Sequence, residues 1–202
     1  MSNDKDTQLE VLSRHYSETF ELLKTDVAKR DRLFLYILIV IFILLLYMSA
    51  PTAMSELLNN FVRIQLVDKS EANLIDASFM GAILLLGLLS LSHTYFQTVL
   101  HVERQYNYVY QLEKQLSQHF GELAFIREGT FYKSHRRKFS EWTKAIFWVL
   151  FPLLFLLFII IWLIFLWGRS QAPFAYQIVD TLISLSILIS LGFYLLALIK
   201  KK

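Results

Sequence analysis

The residues with the clearest chemical potential form a short polar stripe inside an apolar stretch. Ser90, His93, Thr94, Gln97 and His101 recur at three- and four-residue steps, which places them on one face of a helix. His93 is the imidazole that lies well inside an uncharged segment. An ionisable group at that depth is costly and usually turns toward a bundle interior or a wet cavity. Its ordinary titration range also suits proton sensing or relay. The plainer alternative is a neutral histidine hydrogen-bonded to a neighbouring helix, and the residues alone favour it. His93 and His101 stand ~12 Å apart along a helix axis, too far to chelate one metal ion.

Other chemistry is hard to assemble. The chain has no Cys, which removes disulfides, thiolate metal sites, S-palmitoylation and cysteine nucleophiles. There is no H-E-x-x-H, no phosphate-cradling glycine loop and no G-x-S-x-G elbow. No Asp or Glu falls inside the apolar stretches, so an intramembrane hydrolase lacks its acids. The expectation is a protein with no catalytic residues, no cofactor and no metal, and not an enzyme.

A second group of residues points to a surface rather than a reaction. Arg136, Arg137 and Lys138 precede Trp142 at the entrance to an apolar stretch. Cations beside an indole are expected there as an anchor to anionic lipid headgroups. As a nucleic-acid site the patch is too short to be the preferred reading.

The elements that must carry these groups follow from four stretches without Asp, Glu, Lys or Arg: Leu33–Ala50, Ala77–Leu100, Ala145–Gly168 and Thr181–Ile199. Each is about 18 residues or longer, enough to cross a hydrocarbon core of ~30 Å as a helix. The chain is 55% hydrophobic, with a mean hydropathy of +0.45. The stretches occupy about 85 residues, which leaves little for a separate soluble domain. The predicted fold class is an all-α integral membrane protein with four transmembrane helices, read as a single membrane domain over 1–202. A cleaved signal peptide fits poorly, because Met48-Ser49-Ala50 is followed by Pro51 after a long apolar run.

Charge predicts orientation. Of 20 Lys and Arg, only Arg63, Lys69 and Arg169 occupy the gaps at 51–76 and 169–180. The positive-inside rule then puts both termini and the 101–144 segment in the cytoplasm of a multi-pass plasma-membrane protein, the inner membrane if the source is bacterial.

Two stretches extend beyond the membrane as amphipathic helices. Leu9, Leu12, Tyr16, Phe20, Leu23 and Val27 repeat at helical spacing, and Thr7 and Glu10 fit a capping box. No Gly or Pro occurs before Pro51, so one helix from about Thr7 to Ala50 is expected. Val102, Tyr106, Val109, Leu112, Leu116, Phe120 and Leu123 continue the second stretch in the same way. The two stripes could pair as an antiparallel stalk, lie on the membrane or pack on another subunit. Ser55–Val67 is expected as a short interfacial helix. Asp76 and Asp180 are expected to cap the starts of the helices they precede, with cation binding by this acidic rim as the alternative. The third stretch, aromatic on all sides with an early Pro152, is expected to meet lipid over much of its surface. Small-residue pairs Ala77 and Gly81, Ser78 and Ala82, and Ser186 and Ser190 suggest close helix packing.

Leu112-Glu113, Arg127-Glu128-Gly129, Tyr132, Trp142 and Phe151-Pro152, spread over about 40 residues, resemble a pattern of uncharacterised small bacterial four-span membrane proteins. In span count and basic inner segment the chain also resembles small membrane accessories of antiviral defence systems, including RNA-guided ones. That resemblance implies a membrane effector triggered from the cytoplasm and assigns no residue a role.

Three functional expectations follow. One is a non-enzymatic, oligomeric effector that perturbs the bilayer or forms a pore. The second is a small transporter or channel subunit that uses the Ser90–His101 stripe. The third is a scaffold whose stalk recruits a cytoplasmic protein. Expected partners are membrane lipids, further copies of the chain and a cytoplasmic protein at the stalk.

Overall fold

A computed structural model describes residues 2–66, 77–120, 142, 147, 150–168 and 172–200. Its elements are helices: α1 (Ser2–Ser49), α2 (Pro51–Leu66), α3 (Ala77–Phe120), α4 (Phe151–Gly168) and α5 (Phe174–Ile199). Four of them (α1, α3, α4 and α5) are long and apolar enough to cross a membrane.

The length of α1 reflects the absence of any helix breaker before Pro51. Ala50 is the hinge. Its N–H closes the last turn of α1 on the Leu46 carbonyl at 3.0 Å, and its own carbonyl accepts from Met54 N–H at 3.1 Å to open α2. Pro51 suits the first position of α2, where no intrahelical N–H partner is needed. At its other end α1 starts at Ser2, so Thr7 and Glu10 lie within the helix and do not form its cap.

The chain divides into two compact units, Met1–Arg32 with Gln97–Leu150 and Leu33–Phe96 with Phe151–Lys202. Helix α1 passes from one to the other where its charges stop.

In the first unit, the charged part of α1 pairs with the C-terminal part of α3. Leu23, Val102 and Val109 form a buried core, with Tyr16, Phe20 and Val27 packed against it. Tyr16 OH donates to Glu113 Oε1 at 3.1 Å, and Gln105 Nε2 donates to Asp26 Oδ2 at 2.8 Å. His15 Nε2 and Tyr108 OH lie 2.9 Å apart. Rising numbers on α1 meet falling numbers on α3, so the pairing is antiparallel. Of the three arrangements open to these stripes, the two face each other within one chain. Tyr106 departs from the expected stripe and is exposed; Leu123 lies outside the described residues.

In the second unit, aromatic side chains join the apolar helices. Phe34 of α1 meets Phe151 of α4 edge-on at 4.9 Å between centroids. Tyr95 of α3 meets the same ring at 5.4 Å, and Phe96 stacks on Tyr194 of α5 at 4.6 Å. Such contacts add ~0.5–1.5 kcal/mol each beyond area burial. Helix α4 therefore meets three other helices on one face, through Phe151, Phe155 and Trp162 among others, while Leu153, Leu157, Ile160 and Ile164 stay exposed on the other. Uniform hydrophobicity does not distinguish a lipid-facing helix from a central one.

The α1–α3 contact is close at Gly81, where an added Cβ would stand 3.3 Å from the Tyr47 ring. Ser78 is buried beside it, as the small-residue spacing suggested. Ser186 behaves otherwise: it is exposed and donates to the Leu182 carbonyl at 2.9 Å.

Candidate functional site

The polar stripe lies on the outer face of α3. Ser90, His93, Gln97 and His101 are exposed and Thr94 is half-buried, whereas Ser92, Tyr95, Phe96, Thr98 and Val99 are buried. Thr94 Oγ1 donates to the Ser90 carbonyl at 2.9 Å, which satisfies that hydroxyl within the helix. The stripe continues an apolar one. Phe79, Ile83 and Leu86 are 46–55% exposed, and with Ser90, His93, Gln97 and His101 they follow one another at steps of three or four residues. This is the spacing of a helix–helix seam, apolar at one end and polar at the other.

At the end of the stripe, His101 reaches a second helix. Its Nε2 lies 3.5 Å from Asp26 Oδ2 and 3.1 Å from Gln105 Nε2. With Lys29, Gln97, Thr98, Leu100 and Arg104, Asp26 and His101 line a cleft of about 400 Å³ in the first unit. Composition alone did not reveal the cleft, because Lys29 and Arg104 are 75 positions apart in the chain. The signal that could have found it is the antiparallel register of the two stripes.

A second polar group was assigned differently by the sequence. Asp180 is not a helix cap: α5 begins at Phe174, with Pro173 as its N-cap residue. Asp180 lies in the second turn, 3% exposed, and its Oδ1 has no hydrogen-bond partner among the described residues. One turn on, Ser184 Oγ is buried in the same condition, as is Trp162 Nε1 on α4. The phase was legible, because Asp180, Ser184, Ile187, Leu191, Tyr194 and Leu198 keep a three–four spacing and all are buried. Helices α4 and α5 are tied by Trp167 Nε1 donating to Thr181 Oγ1 at 3.1 Å. Asp76 lies outside the described residues.

Arg136, Arg137 and Lys138 also lie outside the described residues, while Trp142 is 60% exposed. Among the described residues no three His, Asp or Glu side chains converge on one metal position. No protein-family description, curated protein or solved structure matches this chain.

Proposed function

We propose that the chain is a non-enzymatic membrane effector that assembles with further copies of itself through the outer seam of α3, and that the polar half of this seam lines an aqueous path. The observation that carries this reading is the exposure of Ser90 and His93 on a helix built to cross hydrocarbon. Polar side chains turned to lipid are costly, and a second helix or a column of water removes the cost. The outer face of α1, with Leu35, Leu38, Phe42 and Leu45 exposed, carries no such groups and suits lipid. A path lined by Ser, Thr, Gln and His would pass small polar or ionic species without a ring of fixed charge.

The charge distribution supports an orientation with both termini in the cytoplasm of a plasma membrane. The paired helices of the first unit would then stand on the cytoplasmic side, where a trigger could reach them. This is the arrangement implied by the resemblance to accessories of antiviral defence systems.

The absence of cysteine makes the test direct. Leu86→Cys is expected to cross-link between copies in native membranes, whereas Ile164→Cys on exposed α4 surface should not. In liposomes, His93→Leu is expected to lower ion efflux at least tenfold while the Leu86→Cys cross-link persists. Efflux equal to wild type would remove the stripe from the path; no cross-link at Leu86 would remove the seam from assembly.

A further inference from the structure

The cleft between α1 and α3 in the first unit is built for an anion. Lys29 and Arg104 line it from opposite helices, both exposed, and neither has an ion-pair or hydrogen-bond partner among the described residues. The one carboxylate in the wall, Asp26, is already engaged by Gln105 Nε2 and faces His101. Gln97, Thr98 and His101 complete its polar lining. Leu100 supplies an apolar surface at the side where α3 becomes uncharged.

Position along the helices identifies the anion. Lys29 stands one turn before Leu33, where the uncharged part of α1 begins, and Arg104 stands one turn after Leu100, where that of α3 ends. At 1.5 Å per residue both cations lie ~6 Å beyond the apolar stretch, at the depth of lipid phosphates rather than of acyl chains. A volume of about 400 Å³ accommodates a headgroup and its glycerol.

We propose that this cleft binds the phosphate of an anionic phospholipid, clamped between Lys29 and Arg104. It is distinct from the anchor expected at Arg136, Arg137 and Lys138, and it does not depend on the chain forming a path across the membrane. Lys supplies a point charge and Arg a fork that can take two phosphate oxygens, so the site favours a headgroup with an accessible diester over a zwitterion whose own ammonium competes.

The full chain, reconstituted in phosphatidylcholine with and without phosphatidylglycerol, tests this by native mass spectrometry of retained lipid. Wild-type protein should retain phosphatidylglycerol selectively. Lys29→Gln with Arg104→Gln should weaken retention about ten- to thirtyfold, while the swap Lys29→Arg with Arg104→Lys should keep most of it. Arg136→Gln, Arg137→Gln and Lys138→Gln together should leave this retention intact. Elution volume and helicity, measured on each variant, separate loss of the site from loss of fold. Retention unchanged in the folded Gln double variant overturns the proposal. So does displacement of the lipid by an equal concentration of inorganic phosphate, which would make the site one for a soluble anion.

Discussion

Asp180 is the residue whose meaning changed most. A carboxylate just before an uncharged run reads as a cap, since caps favour Asp and the helix dipole welcomes it. Because α5 starts six residues earlier, the same side chain falls on the inward seam with Ser184. A buried oxygen without a partner costs about 1–3 kcal/mol. Asp180→Leu is therefore expected to stabilise the solubilised protein by an amount of that order, read as a higher midpoint of thermal unfolding. A lower midpoint would mean that the carboxyl is held by a partner. Two glycines make a matched pair at the same scale. Gly81→Ala would press a methyl toward the Tyr47 ring and is expected to cost about 1–3 kcal/mol. Gly87→Ala meets nothing within 4 Å and should be neutral or stabilising by up to about 1 kcal/mol. Equal effects at the two positions would contradict the close α1–α3 approach.

Among elements, α1 and α3 are the informative ones because each has two kinds of surface along its length. The three–four repeat of Tyr16, Phe20, Leu23 and Val27 was legible as a buried stripe, and so was that of Val102, Val109, Leu112 and Leu116. Periodicity gives the face but not its partner, which is why three arrangements were open until Tyr16 was seen to reach Glu113. Tyr16→Phe removes the donor while Glu113, 2% exposed, stays buried. The expected cost is about 1–2 kcal/mol in stability, and a double-mutant cycle with Glu113→Gln would show whether the coupling is direct. Which face of α4 packs was illegible for the opposite reason: with apolar residues on every face, its pattern has no phase to read. Its place was decided by where Phe151, Phe155 and Trp162 find other rings.

For the molecule as a whole, the division into two units gives each its own core. Leu23→Ala, which opens a cavity at a buried position of the first core, is expected to cost about 2–5 kcal/mol there. Hydrogen exchange should then quicken along 9–31 and 98–118 and remain slow along 183–198. Uniform acceleration would mean that the cores unfold as one.

The candidate site was partly readable in the same terms. Ser90, His93, Thr94, Gln97 and His101 share a helix face because 3.6 residues make a turn, and that is settled by spacing alone. The number of helices able to span a membrane, the long unbroken α1 and its stop at Pro51 are likewise properties of local sequence, since apolar length and helix breakers act without distant partners. Whether the stripe turns inward or outward is not local. It depends on which other face of α3 the Tyr95 and Phe96 rings need for packing. The burial of Asp180, the choice of the packed face of α4 and the meeting of Lys29 with Arg104 around one cleft were decided by tertiary structure for the same reason. Each depends on groups far apart in the chain, and no local pattern records which of them will meet.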